Sequence, residues 1–210
     1  MTDYCTVAEV KAQIEKIRDT SDTEIAAMIT AASRSIDNYC GRTRDGFVAS
    51  DTAAARDFVG SGTNYQLIDE CVAISTVAVK YYGEEDDDYE MWASTDWIGA
   101  RGRPQLPTYG ATPYTMILVR PDGTEATFPS GYDIPTVRVT ARWGYAASVP
   151  DVVKQACIIQ VARWFKRGQS GWADTVGSPE TGTLLYQQTL DPAVKQLLIS
   201  GRLVRPSLAF

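Results

Sequence analysis

Residues 21–41 read SDTEIAAMITAASRSIDNYCG, and this stretch decides the fold. Ser21 and Glu24 form a capping box at its start, and Gly41 offers a cap at its end. Burial of a helical row stabilises by roughly 1.5–3 kcal/mol per large side chain, against about 1 kcal/mol for a cap. The helix must therefore pack on another element through the apolar side chains that recur at helical spacing: Ile25, Met28, Ile29, Ala32, Ile36 and Tyr39.

Two more helices surround this one in the chain. Thr6 and Glu9 form a second capping box, which predicts a helix with Val7, Val10, Ile14 and Ile17 on its apolar face. A DNA-reading helix-turn-helix would need basic or amide side chains where the second helix begins, but residues 21–24 read SDTE, so we predict a plain helical hairpin. A long helix follows much later, from Pro150 to Arg167.

The middle of the chain is rich in strand signals. Residues 58–59 and 72–79 are predicted strands, and residues 116–120 lead through the turn Pro121-Asp122-Gly123-Thr124 into a further predicted strand at residues 125–128. Residues 137–143 alternate with period two, as a half-buried strand should. Arg138 and Arg142 share the polar face of that strand and are expected to be solvated.

Residues 81–114 form an insertion with an unusual composition. It holds the acidic run Glu84, Glu85, Asp86, Asp87 and Asp88, and seven of the 21 aromatic residues: Tyr81, Tyr82, Tyr89, Trp92, Trp97, Tyr109 and Tyr114. Either the insertion packs as its own small domain, or its rings serve an interface, where Tyr and Trp are favoured. The sequence leaves both alternatives open.

The C-terminal region begins with about twenty residues rich in Gly, Ser and Thr, from Gly168 to Thr189. Large apolar side chains lie within this stretch at Trp172, Leu184, Leu185 and Tyr186, and a disordered chain has little use for such groups. We therefore expect an arm that orders against a partner. A short helix from Asp191 to Gly201 and a tail follow, and we expect their apolar side chains to be left uncovered by the chain itself.

These elements predict an α+β fold. It consists of a helical bundle (two N-terminal helices plus a long helix near residues 150–167), an inserted β-hairpin or small antiparallel sheet, and an extended C-terminal arm with a short helix. Residues 1–167 form the predicted core, with the β-rich insertion at about 55–145, and residues 168–210 form the arm. Removal of the arm is expected to leave a folded monomer.

The composition excludes much of enzyme chemistry. The chain has no histidine, which removes Ser-His-Asp and Cys-His nucleophile systems and the commonest general base. Four widely separated cysteines, Cys5, Cys40, Cys71 and Cys157, are expected to be reduced core thiols. The net charge of −6 argues against tight binding to nucleic-acid phosphates. No cofactor, metal or membrane segment is expected, and we predict a protein that is not an enzyme.

The order of elements resembles the head–tail adaptor (connector, head-completion) proteins of tailed bacteriophages. The similarity covers about residues 4–200, and its most specific part runs from Val137-Arg138-Val139 through Gly144-Tyr145 and Val149-Pro150 to Arg167. The resemblance implies a ring, commonly dodecameric, that docks under the portal and presents a platform for neck or tail-completion proteins. It implies a place in the neck of the virion, assembled in the host cytoplasm, with genomic DNA passing through without tight binding.

The resemblance also implies roles for three sets of residues. The first set is the subunit interface, at Trp164, Phe165, Trp172, Leu184, Leu185 and Tyr186. The second is the portal-docking segment, at Leu197, Leu198, Arg202, Leu203, Val204 and Arg205. The third is a loop facing the channel or the tail, at Glu84, Glu85, Asp86, Asp87, Asp88, Tyr89, Trp92 and Trp97.

Three alternatives remain open. A carboxylate- or metal-dependent hydrolase could use residues 84–90, although the run lacks the ligand spacing of a calcium loop. A single-strand nucleic-acid module would need basic residues beside the rings, and residues 81–100 contain none. A phage neck or tail-completion component other than the portal-proximal adaptor is the third alternative.

Overall fold

The computed structural model describes residues 2–14, 22–81, 88–169 and 190–205. The chain divides into two units: a helical unit of Met1–Arg44 with Val149–Phe210, and a sheet unit of Asp45–Ser148. The sheet unit is therefore an insertion between the second and third helices of the helical unit. Within the described residues, no helix combines the length and apolar character needed to span a membrane.

The described part of the helical unit contains four helices: α1 Val7–Gln13, α2 Asp22–Cys40, α3 Asp151–Gln169 and α4 Pro192–Ser200. The predicted capping box of α1 is confirmed, because the Thr6 hydroxyl accepts from the Glu9 N–H at 3.2 Å and the Glu9 carboxylate accepts from the Thr6 N–H at 2.8 Å. The predicted start of α2 at Ser21 lies outside the described residues.

The apolar row of α2 is confirmed as its buried face, with Ile25, Ile29 and Ile36 in the core. The predicted end at Gly41 is also confirmed. Gly41 has φ +70°, and its N–H and that of Arg42 donate to the carbonyls of Asn38 (3.2 Å) and Asp37 (2.8 Å). This is the Schellman arrangement, in which a left-handed residue closes the last turn.

Helix α3 is the centre of the helical unit and packs against α1, α2 and α4. Its buried face consists of Val153, Ala156, Cys157, Ile158, Gln160, Val161 and Phe165. Asp151 lies in its first turn and Lys166 and Arg167 in its last, which complements the helix dipole as predicted. Asp191 caps α4 by accepting from the Ala193 N–H at 2.8 Å, and Pro192 stands in the first turn.

Outside residues 82–87, the sheet unit contains seven antiparallel strands: β1 Ala54–Ser61, β2 Tyr65–Val79, β3 Glu90–Met91, β4 Trp97–Arg103, β5 Leu106–Tyr109, β6 Tyr114–Val119 and β7 Ser130–Trp143. Their order is β1-β7-β2-β6-β4-β5, and β3 pairs with β2. The α+β class is confirmed, but the sheet is larger than the hairpin or small sheet expected. The extra strands β3, β4 and β5 come from the aromatic insertion.

The predicted alternation of β7 is confirmed. Val137, Val139, Ala141 and Trp143 are all buried in the main core of the sheet unit, and Val139 lies opposite Val77 of β2. The predicted strand at residues 125–128 is wrong, because β7 begins only at Ser130. Phe128 is instead buried in the core while its N–H donates to the Thr63 carbonyl at 2.8 Å, so the chain turns inward at the position where a strand was expected.

Candidate interaction surfaces

The C-terminal part of the helical unit is folded more tightly onto its own chain than expected. Leu198 and Leu203 are buried, as is Val194, and all three belong to the core of the helical unit. The expectation that this segment leaves its apolar side chains uncovered is therefore wrong for Leu198 and Leu203. Leu197 and Val204 are half-buried, and Ile199, which the sequence did not single out, is exposed.

A reversed turn after α4 explains this burial. Arg202 has φ +53°, and its N–H donates to the Ile199 carbonyl at 2.9 Å, while the Leu203 N–H donates to the Leu198 carbonyl at 3.0 Å. The turn folds Leu203 back toward α4, in the hydrophobic contact that accompanies a Schellman cap. Removal of the chain from Gly168 onward would therefore take Val194, Leu198 and Leu203 out of the core, and this burial argues against an intact truncated monomer.

The tail after this turn is fastened to the end of α2. Arg42 is buried, and its guanidinium donates to the Leu203 carbonyl and, at 3.4 Å, to the Cys40 carbonyl. The Arg205 N–H donates to the Cys40 carbonyl at 3.2 Å, and its side chain reaches the Gly41 carbonyl at 3.3 Å. Cations favour the negative C-terminal end of a helix dipole, so these contacts have a clear electrostatic cause.

The same contacts create a basic end on the helical unit. Residues 41–44 and 202–205 lie together and contain four arginines and no acidic residue. Arg42 is buried, whereas Arg44, Arg202 and Arg205 are exposed to solvent. We call these three exposed side chains the basic end.

The predicted subunit-interface residues have different positions. Trp172, Leu184, Leu185 and Tyr186 lie outside the described residues. Phe165 is buried within the helical unit and supports the packing of α3, so the expectation that it packs on a neighbouring subunit is corrected. Trp164 is half-buried and keeps part of its surface accessible.

The aromatic insertion is folded into the sheet. Trp92 is only 6% exposed, its ring centroid is 4.8 Å from that of Phe128, and its backbone N–H donates to the Val77 carbonyl at 3.0 Å. Trp97, Tyr81 and Tyr114 pack partly buried against the same core. These four rings therefore serve packing, and the expectation that Trp92 faces the channel or the tail is wrong.

The acidic part of the insertion is only partly described. Glu84, Glu85, Asp86 and Asp87 lie outside the described residues, and Asp88 is exposed. Tyr89 is held against β7 by a hydrogen bond to the Pro135 carbonyl (3.3 Å) and by the Arg138 guanidinium, 4.1 Å from its ring centroid. Arg138 is not merely solvated, because it also binds both carboxylate oxygens of Asp57, at 2.7 and 2.9 Å.

A projection of β7 was not anticipated from the sequence. Pro135 lies opposite Val59 and Ser130 opposite Ser61, so β7 has four residues where β1 has one. At its tip Tyr132 and Asp133 have φ +39° and +70°, values that turns of this kind usually assign to Asn or Gly. Tyr132 is 87% exposed, and Val59 and Ile134 beside it are also exposed.

The hairpin of β4 and β5 is a second projection. It pairs with β6 only over Trp97–Ala100, and beyond that point its strands pair only with each other. Leu106 and Tyr109 are exposed on it. Pro107 on the edge strand lacks an N–H, which discourages pairing of this edge with another strand.

Charge is divided between the two units. The sheet unit has seven basic and fifteen acidic residues, a net charge of −8, whereas the helical unit has thirteen and eleven, a net charge of +2. The described portion of the chain contains no group of three or more Cys, Asp or Glu side chains placed to hold a metal ion. Most of the acidic run that the hydrolase alternative would use lies outside that portion.

The fold is similar to chains of gene transfer agent particles. One belongs to a structure of the neck of an empty gene transfer agent particle computed with C6 symmetry; its TM-score is 0.51 at 14% identity, over 97% of this chain and 91% of that chain. A second belongs to the virion of a native gene transfer agent particle, with a TM-score of 0.50, 14% identity and the same coverage. No protein-family model and no curated protein matches the chain.

This similarity is one of fold, and it spans both chains almost from end to end. A match restricted to the helices would leave out the inserted sheet unit, which is about half of the chain. The likeness therefore includes both units and the way in which the chain passes from one to the other and back.

Proposed function

We propose that this chain is a structural component of the neck of a tailed bacteriophage or phage-like particle, and not an enzyme. The observation that carries the proposal is the likeness in fold to a neck chain over 97% of this chain and 91% of the other. The absence of histidine agrees with a structural role, because it removes the commonest catalytic base.

The finer proposal is a head-to-tail adaptor that forms a ring under the portal and continues the DNA channel toward the tail proteins. A ring requires a heterologous interface, in which each copy donates one surface and accepts another. The similar neck structure was computed with C6 symmetry, and rings of six and of twelve copies both satisfy that symmetry. A dodecameric ring is therefore compatible with the likeness.

The division of charge supports an assignment of surfaces. An acidic wall repels DNA, so the sheet unit, with its net charge of −8, suits the channel or the tail side, where the genome must slide without sticking. The basic end of the helical unit suits a portal contact through Arg202 and Arg205, with Leu197 and Val204 beside them. Leu198 and Leu203 then act indirectly, by holding this segment in shape.

The arm supplies the contact between copies in this proposal. Trp172, Leu184, Leu185 and Tyr186 would bind the neighbouring subunit, and the accessible part of Trp164 would lie under them. A segment that orders on binding lets a single copy stay soluble until a template assembles the ring.

The test combines the purified full chain with assembled portals from the same genome, imaged by negative-stain electron microscopy. The variant W172S/L184S/L185S/Y186S should stay folded by circular dichroism and fail to form rings on portals. The matched control T181A/T183A/Q187A/Q188A changes polar residues of the same stretch and should assemble like the parent.

Two outcomes contradict the proposal at different levels. If the parent chain never attaches to portals or to a neck protein, the neck function is wrong. If the parent assembles and the arm variant assembles equally well, the function stands and the arm is not the subunit contact. Attachment to the tail side instead of the portal would identify another neck or tail-completion component.

A further inference from the structure

Two cysteines from distant parts of the sequence meet inside the helical unit. The Sγ atoms of Cys5 and Cys157 are 3.4 Å apart, although 152 positions separate the two residues. Cys157 lies on the buried face of α3, and Cys5 lies in the segment before α1, where it is 7% exposed. Both thiols are free.

The segment that carries Cys5 is held in place by polar contacts to α2. The Tyr4 N–H donates to the Ser33 hydroxyl at 3.1 Å, and this hydroxyl donates to the Ile29 carbonyl at 2.8 Å. The Tyr4 hydroxyl donates to the Asp37 carboxylate, which is buried. These contacts fix the backbone beside Cys5, so the fold itself places the two sulfur atoms next to each other.

The separation is short enough for a covalent bond. Sulfur atoms in a disulfide are about 2.05 Å apart, so rotation of the two side chains has little more than an ångström to close. The hydrogen bond between the thiols raises the pKa of Cys5, its donor, and lowers the pKa of Cys157, its acceptor. Cys157 is therefore the thiol of the pair that forms the thiolate more readily, and the thiolate is the nucleophile in disulfide exchange.

We propose that Cys5 and Cys157 are a site of reversible disulfide formation that joins the segment before α1 to α3 under oxidising conditions. The oxidant is a low-molecular-weight disulfide of the glutathione class. In a reducing compartment the pair stays as two thiols, and it becomes a bond where the surroundings are oxidising. This chemistry does not depend on the neck function.

The exchange proceeds in two balanced steps. Cys5 reacts first, because 7% of its surface is exposed whereas Cys157 is completely buried. Its sulfur displaces one glutathione thiolate and forms a mixed disulfide. The Cys157 thiolate then attacks the Cys5 sulfur and releases the second glutathione. Two electrons and two protons pass from the protein to glutathione, and two reduced glutathione molecules leave.

The bond would stabilise the helical unit by restricting the unfolded chain. A cross-link between residues 5 and 157 closes a loop of about 150 residues, and the stabilisation from loop closure grows slowly with loop length. We expect the melting temperature of the oxidised chain to exceed that of the reduced chain by roughly 5 °C or more.

The test uses the purified full chain after incubation with oxidised glutathione or with a reductant, followed by unfolding, alkylation and tryptic digestion. The four cysteines fall in four different tryptic peptides, and Cys5 and Cys157 fall in residues 1–11 and 155–163. We expect the oxidised chain to lose two hydrogen atoms in mass, to keep two alkylatable thiols, and to yield one linked pair of these peptides.

Substitutions assign the bond to this pair. C5S and C157S should each abolish the linked peptides and the rise in melting temperature, whereas C71S should leave both unchanged. Four alkylatable thiols after oxidation, a glutathione adduct that never resolves, or links that involve Cys40 or Cys71 would overturn the proposal. A linked pair without any rise in melting temperature would overturn its stabilising effect.

Discussion

Substitution of Trp92 by Ala tests whether this ring stabilises the core of the sheet unit or binds a partner. The side chain is almost completely buried and its ring packs against Phe128 at 4.8 Å between centroids. Truncation of a buried Trp to Ala lowers the free energy of unfolding by about 3–5 kcal/mol. Part of this loss is the transfer free energy of the removed apolar atoms, and the rest comes from the cavity that they leave. Such a loss lowers the ratio of folded to unfolded sheet unit by two orders of magnitude or more.

The assay is urea unfolding followed by circular dichroism, with hydrogen exchange read by mass spectrometry. Exchange should accelerate in peptides of β2 and β7, which contribute most of the core around Trp92. The matched control is Tyr109→Ala, on the projecting hairpin, where the side chain is 62% exposed and the expected cost is below about 0.5 kcal/mol.

One result would refute this reasoning. If Trp92→Ala unfolds at the same urea concentration as the parent and leaves exchange in β2 and β7 unchanged, then the insertion is not part of the core. If the same variant lost partner binding without losing stability, the result would show that Trp92 belongs to an interface.

Three further substitutions test the contacts described above. Arg202→Gly should stabilise the helical unit by about 0.5–1 kcal/mol, because φ +53° strains any residue with a Cβ; an unchanged or lower melting temperature would contradict this. Arg56→Ala should destabilise the sheet unit by roughly 3 kcal/mol in urea unfolding, since it removes the guanidinium that binds the carboxylates of Asp45 (2.9 Å) and Asp69 (2.7 Å). A cost under about 1 kcal/mol would show that water replaces the guanidinium. Asp37→Asn tests a pH effect: burial raises the pKa of Asp37, partly offset by the hydrogen bond from Tyr4 and the charge of Arg34, so the folded chain holds this proton more tightly than the unfolded chain. The resulting stability is complete below the unfolded pKa of about 3.9 and is lost as pH rises through the raised value. Urea unfolding between about pH 4 and pH 7 should therefore move the stability difference in favour of the variant as pH rises, and a move in the opposite direction would contradict the raised pKa.

The helices were predictable because their signals are local. The apolar row of α2 and the capping box of Thr6 and Glu9 each depend on residues within a few turns, and both are confirmed. The alternation of β7 is local in the same way. Its partners β1 and β2 lie on either side of it in the sheet and come from more than fifty residues earlier in the chain, so their register could not be read from the strand itself.

The features that the sequence did not predict share a physical cause. Each depends on a backbone conformation that the residue type at that position does not indicate. Arg202 and Tyr132 both adopt positive φ, although neither is a residue type that predicts a turn of this kind, as glycine, asparagine and aspartate do. The turn at Arg202 decides that Leu203 is buried, and the turn at Tyr132 decides that an aromatic ring projects from the sheet. Composition and spacing place Leu203 on the surface, which is wrong, and they do not single out Tyr132.

Insertion of the sheet unit between α2 and α3 has a consequence for biosynthesis. Asp45–Ser148 is continuous in the chain and can fold while translation proceeds, as domains generally do. Helix α2 ends at Cys40, and α3 begins only at Asp151. At typical elongation rates the apolar face of α2 waits on the order of 10 s for α3 to leave the ribosome. During that interval it offers a hydrophobic target for chaperones acting on the nascent chain.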